Sequence, residues 1–96
     1  MVNFEPLTIT VAPNPFVDGT GIRFTLATAQ AGMRVGVYDV GGRLVRNLFA
    51  GSLGAGSHEY RLDGSDASGR RALDGIYFIR VQGPGFRLLT KVVRLQ

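Results

Sequence analysis

Residues 75–95 read GIYFIRVQGPGFRLLTKVVRL. The first eight, Gly75–Gln82, are apolar on both faces for five residues, as in a strand with neighbours on both sides and cover on both faces. Gly83-Pro84-Gly85 is a turn, because glycine takes positive φ cheaply and proline fixes φ. Phe86–Leu95 then alternates as a second strand, with Leu89, Val93 and Leu95 expected in the core. A central strand followed by a hairpin partner commits the chain to an antiparallel sheet. Outward from this stretch the period-2 signal continues, and no helical period of useful length competes with it.

Five further strands are expected upstream. They are Leu7–Ala12, Thr20–Thr28, Met33–Asp39, Arg43–Phe49 and Ser57–Leu62. Ile22, Phe24 and Leu26 face inward in the second, Met33, Val35 and Val37 in the third, and Tyr60 and Leu62 in the fifth. The fourth loses its alternation near Val45–Arg46. Asp18-Gly19, Gly41-Gly42, Gly54-Ala55-Gly56 and Gly69 separate the runs with turn chemistry. Seven short strands at this spacing predict a β-sandwich. Between the first two strands lies VAPNPF, residues 11–16. Proline cannot donate to a ladder, so Pro13 and Pro15 end strand one and Asn14 is held extended. The segment reads as a stiff crossover with Phe16 as its core anchor.

Composition sets the outer limits. The chain has 96 residues, 45% hydrophobic and 19% charged, which suits one domain with a modest core. No apolar run approaches the ~18 residues of a membrane helix, so no transmembrane segment is expected. MVNFEPLTIT carries neither the basic nor the apolar region of a signal peptide. With no cysteine, disulfides and thiolate metal sites are excluded. The net charge is +4, and ten of the eleven basic residues are arginine. They are spread along the strands without a run and read as solvated faces.

Three stretches approach chemistry without reaching it. Gly51–Ser57 imitates a phosphate loop, but the lysine is missing and His58 opens a strand where a helix N-terminus is needed. Asp63-Gly-Ser-Asp66-Ala-Ser-Gly69 carries half of a calcium loop, lacks the third acidic position and closing Glu, and reads as a turn. His58, the one histidine, has no acid and nucleophile set for a triad. Phe78 and Arg80 share one face of their strand, as a nucleic-acid surface would require, but Phe78 and Phe86 are expected to pack in the core. The residues therefore imply no enzyme, no cofactor, no metal site and no nucleic-acid partner. Arg70 and Arg71, in the longest loop, are the exposed basic candidates.

Four motifs stand in order: APNPF at 12–16, VGVYDVGGRLVRNL at 35–48, LDGSDASGRRALDGIYFIRV at 62–81 and KVVRL at 91–95. Together they resemble the C-terminal sorting domain of the type IX secretion system, and the similar immunoglobulin-like domain of the flagellar hook-capping protein, over residues 7–96. The resemblance implies an all-β, seven-stranded immunoglobulin-like antiparallel sandwich. It implies a non-catalytic sorting or anchoring module of a secreted or cell-surface bacterial protein, recognised by outer-membrane secretion machinery. A structural, self-associating module of an extracellular or flagellar assembly is the alternative. Protein partners are implied by both. The matching positions include Pro13, Asn14, Pro15, Gly75, Tyr77, Lys91 and Val93. The sequence departs from the family at Phe49–Leu53 and at Leu62, where a Trp is common.

Overall fold

A computed structural model describes residues 9–64, 70 and 74–95. Seven strands form two antiparallel sheets. β1 (Ile9–Ala12), β2 (Thr20–Leu26) and β5 (Gly56–Leu62) make one, in the order β1-β2-β5. β3 (Gln30–Asp39), β4 (Leu44–Leu53), β6 (Gly75–Gly83) and β7 (Phe86–Arg94) make the other, in the order β4-β3-β6-β7. This is the immunoglobulin-like sandwich expected from the sequence. Leu7 and Thr8 of the expected first strand lie outside the described residues.

The core forms where the two inner faces meet. In β2, Thr20, Ile22, Phe24 and Leu26 point inward and are buried, while Arg23 and Thr25 point to solvent. Met33, Val35 and Val37 of β3 and Ile79 and Val81 of β6 cover them from the opposite sheet. Each such side chain contributes about 1.5–3 kcal/mol on burial, so these rows supply most of the cohesion. Tyr60 of β5 closes one side of the sandwich. Its ring lies 6.0 Å from that of Phe24 and 5.8 Å from that of Phe49 on β4.

β6 is central, between β3 and β7, as its two apolar faces require. The β6–β7 hairpin turns on Pro84 and Gly85, the latter at φ +87, which suits proline followed by a positive-φ glycine. β4 runs to Leu53, through the FAGSL stretch and beyond the expected end at Phe49. Its register against β3 slips three times, and two of the slips are bulges of β4 that leave Leu48 and Val45 each without a direct partner. These bulges explain the broken alternation, and they turn both side chains against the core.

β7 corrects the sequence reading. The inward row is Phe86, Leu88, Thr90, Val92 and Arg94, and the outward row includes Leu89 and Val93. Leu89 is 56% exposed, Leu95 47%, and Val93 is half-buried. The register decides this. Ile79 pairs with Thr90 and Val81 with Leu88, and directly opposed residues share a face. The buried Ile79 and Val81 therefore carry the even-numbered residues of β7 inward. Arg94, expected at the surface, is only 2% exposed.

Candidate recognition surface around the C-terminal strand

β7 is an edge strand, and an open edge invites strand addition. Pro13-Asn14-Pro15-Phe16 lies along it. The Asn14 side chain imitates a peptide unit. Its Nδ2 donates to the Lys91 carbonyl at 3.0 Å, and its Oδ1 accepts from the Val93 amide at 2.9 Å. The main chain continues the mimicry at Phe16. Phe16 N donates to the Val93 carbonyl at 2.9 Å, and Leu95 N donates to the Phe16 carbonyl at 2.8 Å. Phe16 bridges Arg94 in parallel and is itself 2% exposed, as the sequence predicted. The other end of the segment is fixed by Thr20, whose buried hydroxyl donates to the Pro13 carbonyl at 2.6 Å. The proline-rich stretch thus carries the chain from the β1 edge to the β7 edge and seals the C-terminal half of β7.

Of the expected positions, Asn14 therefore meets Lys91 and Val93 across 77–79 residues of sequence, and the core anchor Phe16 meets Val93 beside it. Tyr77 and Gly75 are close by on β6, opposite Val92 and Arg94. Tyr77 faces inward, and burial pushes its hydroxyl above the ordinary pKa of 10.0, as it does for Tyr60. A shallow depression here is lined by Phe16, Val37, Val45, Leu62, Tyr77 and Arg94. Its floor explains Gly64, which sits at φ +83 with Arg94 packed so closely that a Cβ would lie 2.9 Å from the Arg94 Nε. Arg94 is the important residue that the sequence reading missed. Its signal was present: the even-numbered residues of β7 carry one charge against two on the odd-numbered row.

Asp39 organises the turn between β3 and β4. Its Oδ1 accepts from Gly41 N at 3.0 Å and Arg43 N at 2.9 Å, and its Oδ2 accepts from Arg43 Nε at 3.2 Å. The Arg43 amide bond, followed by that of Gly41 and the Arg43 charge, holds the carboxyl below its ordinary value. Gly42 takes φ +85 to complete the hairpin. His58 is on edge strand β5, with Nε2 donating to the Gly54 carbonyl at 2.7 Å. Arg70 is exposed and distant in sequence from the clamp, and Arg71 lies outside the described residues, as do residues 65–69 of the half calcium loop. Asp63 forms an ion pair with Arg46 at 3.0 Å.

The outer face of β4-β3-β6-β7 is a second correction. Phe78, expected in the core, is half-buried on this face, between Tyr38 and Lys91 in register. The Arg80 guanidinium lies over the Tyr38 ring, 3.9 Å from its centroid, and hydrogen-bonds its hydroxyl. Phe86 does pack against the core. Among the described residues no group of three or more His, Asp or Glu is placed to hold a metal ion, and no helix is long and apolar enough to cross a membrane.

A model of the FlgD Ig-like domain matches residues 14–85, three-quarters of the chain. The chain belongs to the FlgD Ig-like domain family. Three solved structures show how widely this FlgD Ig-like fold is used. One is PorZ, an essential bacterial surface component of the type IX secretion system of Porphyromonas gingivalis. It is 26% identical with a TM-score of 0.64, over 92% of this chain and 11% of that one. Another is dimeric latent PorU of the same organism, at 21% identity and a TM-score of 0.69, over 91% of this chain and 9% of that one. The third is FlgD of Pseudomonas aeruginosa, at 25% identity and a TM-score of 0.63, over 96% of this chain and 77% of that one. The chain thus spans about a tenth of the PorZ and PorU chains. No curated protein sequence matches it.

Proposed function

We propose that this domain is a non-catalytic sorting and anchoring module of a secreted or surface-exposed protein in a Gram-negative-type bacterium. Outer-membrane secretion machinery would read it as a folded unit. The observation that carries this reading is the convergence of the motif positions. Asn14 clamps Lys91 and Val93, so that the tail is presented as an ordered, half-sealed edge strand instead of a flexible peptide. The likeness to PorZ supports the same direction. Fusion to the C-terminus of a periplasmic reporter, in a bacterium with a type IX system, tests it. The fusion is expected at the cell surface or in the medium, and the reporter alone in the periplasm. A folded, protease-resistant fusion that stays periplasmic refutes the reading.

The second reading is a structural module of a flagellar or extracellular assembly, including one that self-associates. The FlgD domain match and the 77% coverage of the P. aeruginosa FlgD chain favour it. Light scattering over a concentration series separates the two. A particle of one chain mass, 10.3 kDa, fits an appended module. Growth into larger species fits an assembly subunit.

A further inference from the structure

The two outer faces of the sandwich differ in charge. On the three-stranded sheet, Arg23 is paired with Glu59 at 2.9 Å, and Thr25 meets Ser57 at 3.2 Å across the neighbouring strands. That face is polar, and its one carboxylate, Glu59, balances Arg23, leaving Arg61 as its further exposed cation. On the four-stranded sheet, β4, β6 and β7 contain no carboxylate at all, and β3 contains only Asp39, which is turned into its own hairpin. Arg34, Arg80, Arg87 and Lys91 all rise from this face.

Between the cations lie apolar side chains. Leu44 is 50% exposed, Ile76 44% and Leu89 56%. The register sets them in rows. Arg34, Gln82 and Arg87 form one, Gly36, Arg80 and Leu89 the next, then Tyr38, Phe78 and Lys91, then Ile76 and Val93. Adjacent rows on one face are ~7 Å apart, the distance between alternate residues of an extended chain. An extended segment crossing the rows would therefore meet cationic and apolar positions in its own period.

We propose that the outer face of β4-β3-β6-β7 docks an acidic, extended protein segment in which carboxylates and aliphatic side chains alternate at every second residue, so that both lie on the one face turned to the rows. This deepens the reading of the chain as a recognition module and rests on it. Charge complementarity selects the occupant. A second copy packed face to face would set four cations against four. Nucleic acid is a poorer fit, because base stacking needs an open aromatic face. The Tyr38 ring is covered by Arg80 and its hydroxyl is engaged. The exposed Leu44, Ile76 and Leu89 suit aliphatic partners and offer nothing to phosphate.

The test uses the isolated chain, uniformly labelled with nitrogen-15. It is titrated in turn with a capped peptide repeating Glu-Ser-Val-Ser, which sets Glu and Val alternately on one face when extended, its Lys-Ser-Val-Ser counterpart and a thymidine oligonucleotide. The Glu-Ser-Val-Ser peptide is expected to give saturable shifts confined to the amides of β3, β6 and β7, weakening as salt is raised. Exchanging Arg87→Glu and Leu89→Glu together is expected to weaken it about tenfold. Both side chains are exposed and outside the Asn14 clamp. A spectrum that otherwise overlays the parent shows that the fold survives. The proposal is overturned by absent or non-saturable shifts, by shifts on β1-β2-β5, by an unaffected double variant, or by tighter binding of the oligonucleotide. A reporter fusion that is not exported would remove the sorting reading while leaving this binding result intact.

Discussion

Replacing Asn14 by Ala removes both side-chain hydrogen bonds to β7 and leaves every buried apolar contact in place. Each such bond contributes about 0.5–1.5 kcal/mol net. Here Asn14 and its partners are near water, so the freed Lys91 carbonyl and Val93 amide can be hydrated. The lower half of the range therefore applies, and the pair together contributes about 1–2 kcal/mol. A domain of 96 residues has about 5–14 kcal/mol in total, so the loss is measurable. Urea unfolding followed by tryptophan-independent far-UV dichroism is expected to show a midpoint about 0.3–2 M lower with the slope unchanged. Amide exchange gives the local readout. The Val93 amide loses its acceptor, whereas the Leu95 amide keeps the Phe16 carbonyl. Val93 is expected to exchange faster and Leu95 to change less. Asn14→Asp keeps the acceptor for Val93 N but not the donor to Lys91, so it should fall between the parent and the alanine variant. An unchanged midpoint together with unchanged Val93 protection would refute the clamp.

Three further perturbations test the packing. Val92→Ala is expected to cost about 2–3 kcal/mol and Leu89→Ala less than about 0.5 kcal/mol in the same unfolding assay, because Val92 is fully buried and Leu89 is 56% exposed. The reverse order would invalidate the register of β7. Gly64→Ala is expected to lose about 1–3 kcal/mol, since the position has φ +83 and the new Cβ would meet Arg94 at 2.9 Å; a neutral thermal shift would contradict that packing. Asp39 is held below its ordinary 3.8 in the folded state. Its contribution is therefore present above that value and is lost as pH falls through the lower folded value. Proton titration of the carboxyl by NMR should place it below an exposed aspartate. In Asn at this position the corresponding part of the acid sensitivity should vanish.

The hairpins and the inner rows were legible because their causes are local. Alternation of Ile22, Phe24 and Leu26 with Arg23 and Thr25 allows one orientation only. Asp39 just ahead of Gly41-Gly42 marks its own turn, and the carboxylate closes that turn by accepting three hydrogen bonds, from Gly41 N, Arg43 N and Arg43 Nε. β6 announced itself as central because apolar residues on both faces need cover on both. β4 was harder. Its two bulges shift the inward positions by one residue each, and no period-2 template can describe a strand that changes phase twice.

The sequence alone determined seven extended segments, the turns between them and the proline-rich break at residues 13–15, because dihedral preference and side-chain alternation act over a few residues. The tertiary structure decided which row of β7 faces inward. There both rows mix apolar and charged residues, and pairing with Ile79 and Val81 settles the choice. It buried Arg94 under Gly64 and turned Phe78 outward beside Lys91. It also showed what Asn14 does. An amide side chain can replace a strand only where a strand edge lies against it, and that edge comes from residues 77–79 positions further along the chain.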